Sequence, residues 1–285
     1  MAWASGGNRT LGYRHAVAYA PSGDARIWWE SAGDGPPVLL VMGLGYPAAM
    51  WYRILPFLVD AYRVLTLDNR GVGATGVPPG PYTIEQMADD AVAVLDAADV
   101  ASAHVVGASM GGFIAQEIAL RHPGRVRSLV LACTSPNGPE AVPPDPEAVT
   151  MLTARVSLTP REAAYAARPF VYAADTPDEV VEEDIEVRMR RPTTPEGYGN
   201  QLQAVLAHRG TYDRLGQIAV PAAVVHGTDD KLVNPANAPV LAERIPGARL
   251  VMIEGASHLL FSDRTEETGA GLRGFLDEVT SATTW

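Results

Sequence analysis

Val105-Val106-Gly107-Ala108-Ser109-Met110-Gly111-Gly112 is the stretch on which the reading of this chain turns. An apolar run leads into it and the helical pattern Phe113 to Arg121 leads out, so a Gly-x-Ser-x-Gly pattern falls on a strand-to-helix turn. A serine on such a turn has its hydroxyl raised above the sheet. The small residues beside it let neighbouring backbone pass close by, and the helix N-terminus favours developing negative charge. The pattern alone is short, and a glycine-rich turn opening an ordinary helix is the plain alternative. What the chain places around Ser109 decides between the two.

On the N-terminal side, short apolar runs alternate with amphipathic stretches, the signature of a parallel sheet flanked by helices. His15 to Ala20 and Arg26 to Glu30 read as an opening hairpin. Val38 to Met42, Val64 to Leu67, His104 to Val106 and Ser128 to Cys133 read as further strands. Thr83 to Asp96 reads as a helix, with Thr83 placed to cap it and Gln86 three residues on, as in a capping box. On the C-terminal side, Pro136, Pro139, Pro143, Pro144 and Pro146 mark a boundary. From about 145 to 215 strand signals vanish and helical segments follow, including Pro177 to Arg190 with an acidic first turn and a basic last turn. Strands resume at Ala219 to His226 and Arg249 to Ile253, with a helix between them and a last helix from Glu266 to Thr280. The expected fold class is α/β: a mostly parallel central sheet flanked by helices, formed by residues 1–136 and 216–285, with a helical cap inserted at 137–215.

A serine hydroxyl is a weak nucleophile until a neutral imidazole takes its proton, and a carboxylate must hold that imidazole in one tautomer. His258, in Gly255-Ala256-Ser257-His258, follows the last strand, and Asp230, in Gly227-Thr228-Asp229-Asp230, follows the strand before it. Both fall at carboxyl ends of strands, the edge that also carries Ser109 and where ligands of parallel sheets bind. His226 is the rival base and Asp229 the rival acid. His15, His104, His122 and His208 read as packing or surface residues. An oxyanion needs two donors, and the backbone N–H groups of Met110 and of Leu44, in the loop Met42-Gly43-Leu44-Gly45-Tyr46, are placed to supply them.

The same loop offers a second reading. Gly43-x-Gly45-x-x-Ala48 follows a strand and has Asp68 at the end of the next, much as in a dinucleotide-binding turn. Pro47 removes an N–H where a pyrophosphate would need a donor, and this reading leaves Ser109, Asp230 and His258 unexplained. No His-Glu-x-x-His spacing and no glycine-rich loop ending in Gly-Lys-Ser/Thr occurs, so neither a metal nor another cofactor is expected. Bulk properties agree. The 285 residues carry a net charge of −11, which disfavours a nucleic-acid partner, and no apolar run is long enough to span a bilayer. Met1 to Thr10 lack the apolar core of a signal peptide, and Cys133 is the single cysteine, so a cytoplasmic location is expected.

Taken together, Asp68-Asn69-Arg70-Gly71-x-Gly73, Gly107-x-Ser109-Met110-Gly111-Gly112, His226-Gly227-x-x-Asp230 and Gly255-x-x-His258 resemble the α/β-hydrolase superfamily over nearly the whole chain. Within it the chain is most similar to small bacterial esterases and lactonases such as the enol-lactone hydrolases and the aclacinomycin methylesterases. The resemblance implies a triad of Ser109, Asp230 and His258, with Leu44 and Met110 as oxyanion donors. Many relatives have His-Gly where this sequence has Met42-Gly43, which leaves open how the oxyanion loop is held. The expected activity is hydrolysis of a small-molecule ester or lactone through an acyl-enzyme on Ser109, with Tyr46, Cys133 and Leu259 as pocket walls. Carbon–carbon bond hydrolysis and cofactor-free haloperoxidase or perhydrolase chemistry use the same triad. A non-catalytic ligand-binding scaffold is the more distant alternative.

Overall fold

The computed structural model describes residues 15–282, and the reading of Met1 to Thr10 lies outside them. Eight strands build one sheet: β1 (His15–Ser22), β2 (Ala25–Ala32), β3 (Pro37–Val41), β4 (Arg63–Leu67), β5 (Ala103–Ala108), β6 (Val126–Ala132), β7 (Ala222–Gly227) and β8 (Arg249–Ile253). The spatial order is β1-β2-β4-β3-β5-β6-β7-β8. The hairpin β1–β2 joins antiparallel to β4, and every pairing from β4 to β8 is parallel. After β3 the chain crosses to β4 on one side and then returns to β5 on the other. The strand order therefore reverses between β3 and β5, and a crevice opens above their carboxyl ends.

The helices are α1 (Leu55–Leu58), α2 (Ile84–Ala97), α3 (Met110–Arg121), α4 (Pro146–Ala154), α5 (Pro160–Val171), α6 (Asp178–Met189), α7 (Pro195–Ala207), α8 (Asn237–Arg244), α9 (Leu260–Asp263) and α10 (Thr265–Ser281). Strand alternation divides the core into two layers. Leu39, Val41 and Leu65 face α2 and α3, whereas Val38, Leu40 and Val64 face α1 and α10. Because both faces are covered, the central strands read as continuous apolar runs. Thr83 caps α2 as expected, its hydroxyl accepting the Gln86 N–H at 3.0 Å.

Between β6 and β7 the chain holds the four helices α4–α7 and no strand among the described residues. Met151, Ala164, Ala167, Val171, Val181 and Ile185 give this helical segment an apolar centre of its own. Thr159 and Glu162 form a reciprocal capping box at α5. Element boundaries shift by a few residues from the sequence expectation, and two of these shifts have a plain local cause. Helix α3 starts at Met110, directly after Ser109, because Gly111 and Gly112 are already helical. Strand β7 starts at Ala222 instead of Ala219, since Pro221 has no N–H to pair and only its carbonyl reaches β6, accepting from Leu129. No helix among the described residues is long and apolar enough to cross a membrane.

Candidate active site

Ser109 sits between β5 and α3 with φ 57° and ψ −121°, a conformation that non-glycine residues adopt at a cost of about 1–3 kcal/mol. The surrounding backbone fixes it there. Its N–H donates to Ala132 O at 2.9 Å, and its carbonyl accepts the Gly112 N–H and the Thr134 hydroxyl, each at 2.8 Å. Two glycines make the turn possible by removing volume. A Cβ at Gly107 would collide with the Gly111 carbonyl, and one at Gly111 with the Val41 carbonyl, so strand, turn and β3 pack backbone against backbone.

His258, in the loop after β8, places Nε2 3.0 Å from Ser109 Oγ and Nδ1 2.9 Å from Asp230 Oδ2. A carboxylate can only accept, so Nδ1 carries the proton and the Nε2 lone pair faces the serine hydroxyl. Asp230 Oδ1 in turn accepts the N–H groups of Leu232 at 2.8 Å and Val233 at 2.9 Å, which locks the carboxylate plane. Burial alone would raise the Asp230 carboxyl; the charge and hydrogen bonds of His258 and His226 outweigh it and bring the pKa down to about 2. Asp229, the rival acid, is held instead by the Thr228 hydroxyl at 3.1 Å.

His226 occupies a place that its sequence position did not reveal. Its Nε2 lies 3.0 Å from the Val233 carbonyl and 3.1 Å from Asp230 Oδ2, so it supports the same carboxylate that holds His258. Two imidazoles therefore share one carboxylate oxygen, and only His258 reaches Ser109. The remaining candidates are structural. His104 bonds to Ser128 Oγ at 2.8 Å, and burial, with help from Arg127, pushes its pKa down to about 4. His122 pairs with Asp89 at 2.7 Å.

The loop after β3 lies against the serine, since a Cβ on Gly43 would come within 2.9 Å of Ser109 Cβ. With no histidine before Gly43, side chains from elsewhere hold this loop. Asn69 Nδ2 donates to the Met42 carbonyl at 2.9 Å, Asp68 Oδ1 accepts the Ala48 N–H at 2.8 Å, and Gln201 Oε1 accepts the Gly45 N–H at 2.8 Å. The N–H groups of Leu44, in the loop after β3, and of Met110, the first residue of α3, have no acceptor among the described residues. Asp68 also accepts the Ala74 N–H at 2.8 Å and is buried, so it pins two loops and has no free edge for a ribose. Asp68 and Asn69 were visible as a motif; Gln201, from α7, was not.

A cavity of about 420 Å³ opens at Ser109. Tyr46, Cys133 and Leu259 line it, as do Leu44, Met110 and His258. The helical segment supplies the opposite wall, including Leu152, Arg155, Leu202 and Val205. That segment is tied to the His258 loop. Leu259 N–H donates to Val171 O at 2.7 Å, and Asp263 accepts from the Ser257 N–H at 2.7 Å and the Thr176 hydroxyl at 2.6 Å. Glu85, Glu117 and His208 bring three side chains of metal-ligand type within 4.8 Å of one another. There Glu117 is already engaged by Arg214 and His208, an ion-pair network that fastens α3 to the chain entering β7.

The family model for the alpha/beta hydrolase fold matches residues 36–265. A chain from Azorhizobium caulinodans named as a carbamate hydrolase is 33% identical, covering 92% of this chain and 99% of the relative. The 3-oxoadipate enol-lactonase 2 of Acinetobacter baylyi is 30% identical, covering 86% of each. The enol-lactonase from Burkholderia xenovorans LB400 superposes with a TM-score of 0.81 at 29% identity, over 91% of this chain and 99% of that one. A thermophilic esterase from Thermogutta terrifontis gives 0.80 at 27% identity, over 93% and 99%. On the sheet order, the strand-to-helix serine turn and the extent of these matches, the chain belongs to the α/β-hydrolase family.

Proposed function

We propose that this chain is a serine hydrolase that cleaves a carboxylic ester or lactone of a small molecule through an acyl-enzyme on Ser109. The observation that carries the reading is the hydrogen-bonded chain Ser109 Oγ–His258 Nε2 at 3.0 Å and His258 Nδ1–Asp230 Oδ2 at 2.9 Å. His258 takes the Ser109 proton as the oxygen attacks the carbonyl carbon, then passes it to the departing alkoxide. Water enters in the second step, His258 takes its proton, and the acid is released with Ser109 restored. Asp230 stays ionised and stabilises the imidazolium, in keeping with its depressed pKa. The N–H groups of Leu44 and Met110 receive the oxyanion, each contributing about 3 kcal/mol to the barrier reduction.

The helical segment 137–215 acts as a cap: its side chains form one wall of the Ser109 cavity and restrict water there. Tyr46, Cys133 and Leu259 contribute to the substrate pocket. The test is direct. Ser109→Ala lowers turnover of short p-nitrophenyl esters by about 10⁴- to 10⁶-fold, and a fluorophosphonate labels Ser109, read by mass spectrometry. Labelling at another residue, or retained activity in the variant, overturns the assignment.

A further inference from the structure

The wall of the Ser109 cavity holds a cation that the proposed mechanism does not use. Arg155, in the turn after α4, is 4% exposed and lines that cavity. Its guanidinium stacks on the Tyr198 ring at 4.6 Å, and its Nε has no hydrogen-bond partner. The groups that act on it electrostatically are Tyr198, Tyr46 and a second arginine, Arg188; no carboxylate is among them. Arg188 is also buried and lies 4.0 Å over the Tyr46 ring, and neither arginine forms an ion pair among the described residues. Arg70, equally buried, shows the usual arrangement in this protein: its guanidinium grips both Asp90 oxygens at 2.7 Å.

A guanidinium removed from water without a counter-charge is unfavourable, so buried arginines are normally paired. A second uncommitted group accompanies the Arg155 Nε: the Tyr46 hydroxyl is buried, lacks a partner and lines the same cavity. Tyr198 is not available, since its hydroxyl donates to the Leu152 carbonyl at 3.0 Å. Much of the cavity between these donors and Ser109 is apolar, with Leu44, Leu152 and Leu202 in its wall. One cationic fork and one phenol suit a single carboxylate.

We propose that Arg155 and Tyr46 form an anion subsite that receives a carboxylate at the end of the substrate remote from the scissile carbonyl, making the substrate a half-ester or lactone of a dicarboxylic acid. This rests on Ser109 as the reacting group but adds a recognition element that can be measured without turnover. The probes are the monomethyl and dimethyl esters of succinic, glutaric and adipic acids, which differ by one carboxylate at each length. Binding is measured by calorimetry on the full-length Ser109→Ala protein, where nothing is consumed. The best monomethyl ester is expected to bind about ten- to a hundredfold tighter than its dimethyl partner, the range of a charge-assisted hydrogen-bonded pair. Arg155→Gln in the same background should abolish that preference, and Arg155→Lys should keep part of it.

Equal binding of the two ester classes to the Ser109→Ala protein overturns the subsite without any change at Arg155, so a poorly folding Arg155 variant cannot rescue it. A preference that survives Arg155→Gln in a protein with wild-type circular dichroism overturns it as well. Turnover of p-nitrophenyl butyrate by the wild type reports on the serine chemistry separately. A protein that hydrolyses this neutral ester but ignores the extra carboxylate retains the hydrolase reading and loses the subsite.

Discussion

Asp230→Asn tests the chemistry of the site most sharply, because the variant is nearly isosteric and the structure dictates which way the amide must face. Oδ1 of Asp230 receives the N–H groups of Leu232 and Val233, so the carbonyl oxygen of the asparagine stays on that side. Its NH₂ then replaces Oδ2, the atom 2.9 Å from His258 Nδ1. A donor at that place requires Nδ1 to be the acceptor, so the imidazole proton moves to Nε2, facing Ser109 Oγ at 3.0 Å. The base then points a proton at the proton it must remove. A wrong tautomer of this kind costs about 10⁴ in kcat, or roughly 5.5 kcal/mol. The assay is steady-state hydrolysis of p-nitrophenyl butyrate at pH 7–8, with circular dichroism to check the fold. Activity within tenfold of wild type would refute the tautomer argument and with it the role of Asp230. A stability signature accompanies the kinetic one. The carboxyl titrates at about 2 in the folded protein against an ordinary aspartate value of 3.8. A depressed acid stabilises the fold above its unfolded pKa, so about 2 kcal/mol is lost as pH falls from roughly 4 to 2, and Asp230→Asn lacks that loss.

Three further outcomes are expected. Gln201→Leu leaves the Gly45 N–H and the Arg70 carbonyl, both held at 2.8 Å, without partners. It should cost about 2–4 kcal/mol in urea titrations and lower kcat more than it raises KM, whereas an unchanged kcat would mean that Gln201 does not position the loop after β3 for the proposed oxyanion contact. Gly107→Ala drives a methyl group into the Gly111 carbonyl, so thermal melting should show a loss of several kcal/mol or no soluble protein; a variant as stable as wild type would contradict the backbone contact. His104 is held neutral with a folded pKa of about 4 against 6.5. The unfolded chain takes up that proton first, so stability is full above pH 6.5 and falls by up to about 3 kcal/mol toward pH 4, and His104→Gln should flatten this slope in melts across that range.

What the sequence determined follows from local chemistry. Short apolar runs bounded by turn residues become strands and runs at helical spacing become helices, which is why the hairpin, the parallel strands, the helical insert and the serine turn could all be read from residue order. The pairing of Ser109 with His258 and Asp230 was legible for a related reason: in a parallel sheet every carboxyl end lies on one edge, so loops distant in sequence converge. The tertiary structure alone decided what depends on register and on the face a side chain takes. It set His226 beside His258 on the same Asp230 oxygen, brought Gln201 from the insert onto the Gly45 N–H, and left Arg155 without a carboxylate and the Tyr46 hydroxyl without a partner in one cavity wall. The contacts of Gln201 and Arg155 have no sequence signature, because they join residues of elements whose relative placement comes from packing the insert over the sheet and not from any local pattern. The serine turn was written in the chain, whereas the pocket in front of it exists only once the fold has closed around it.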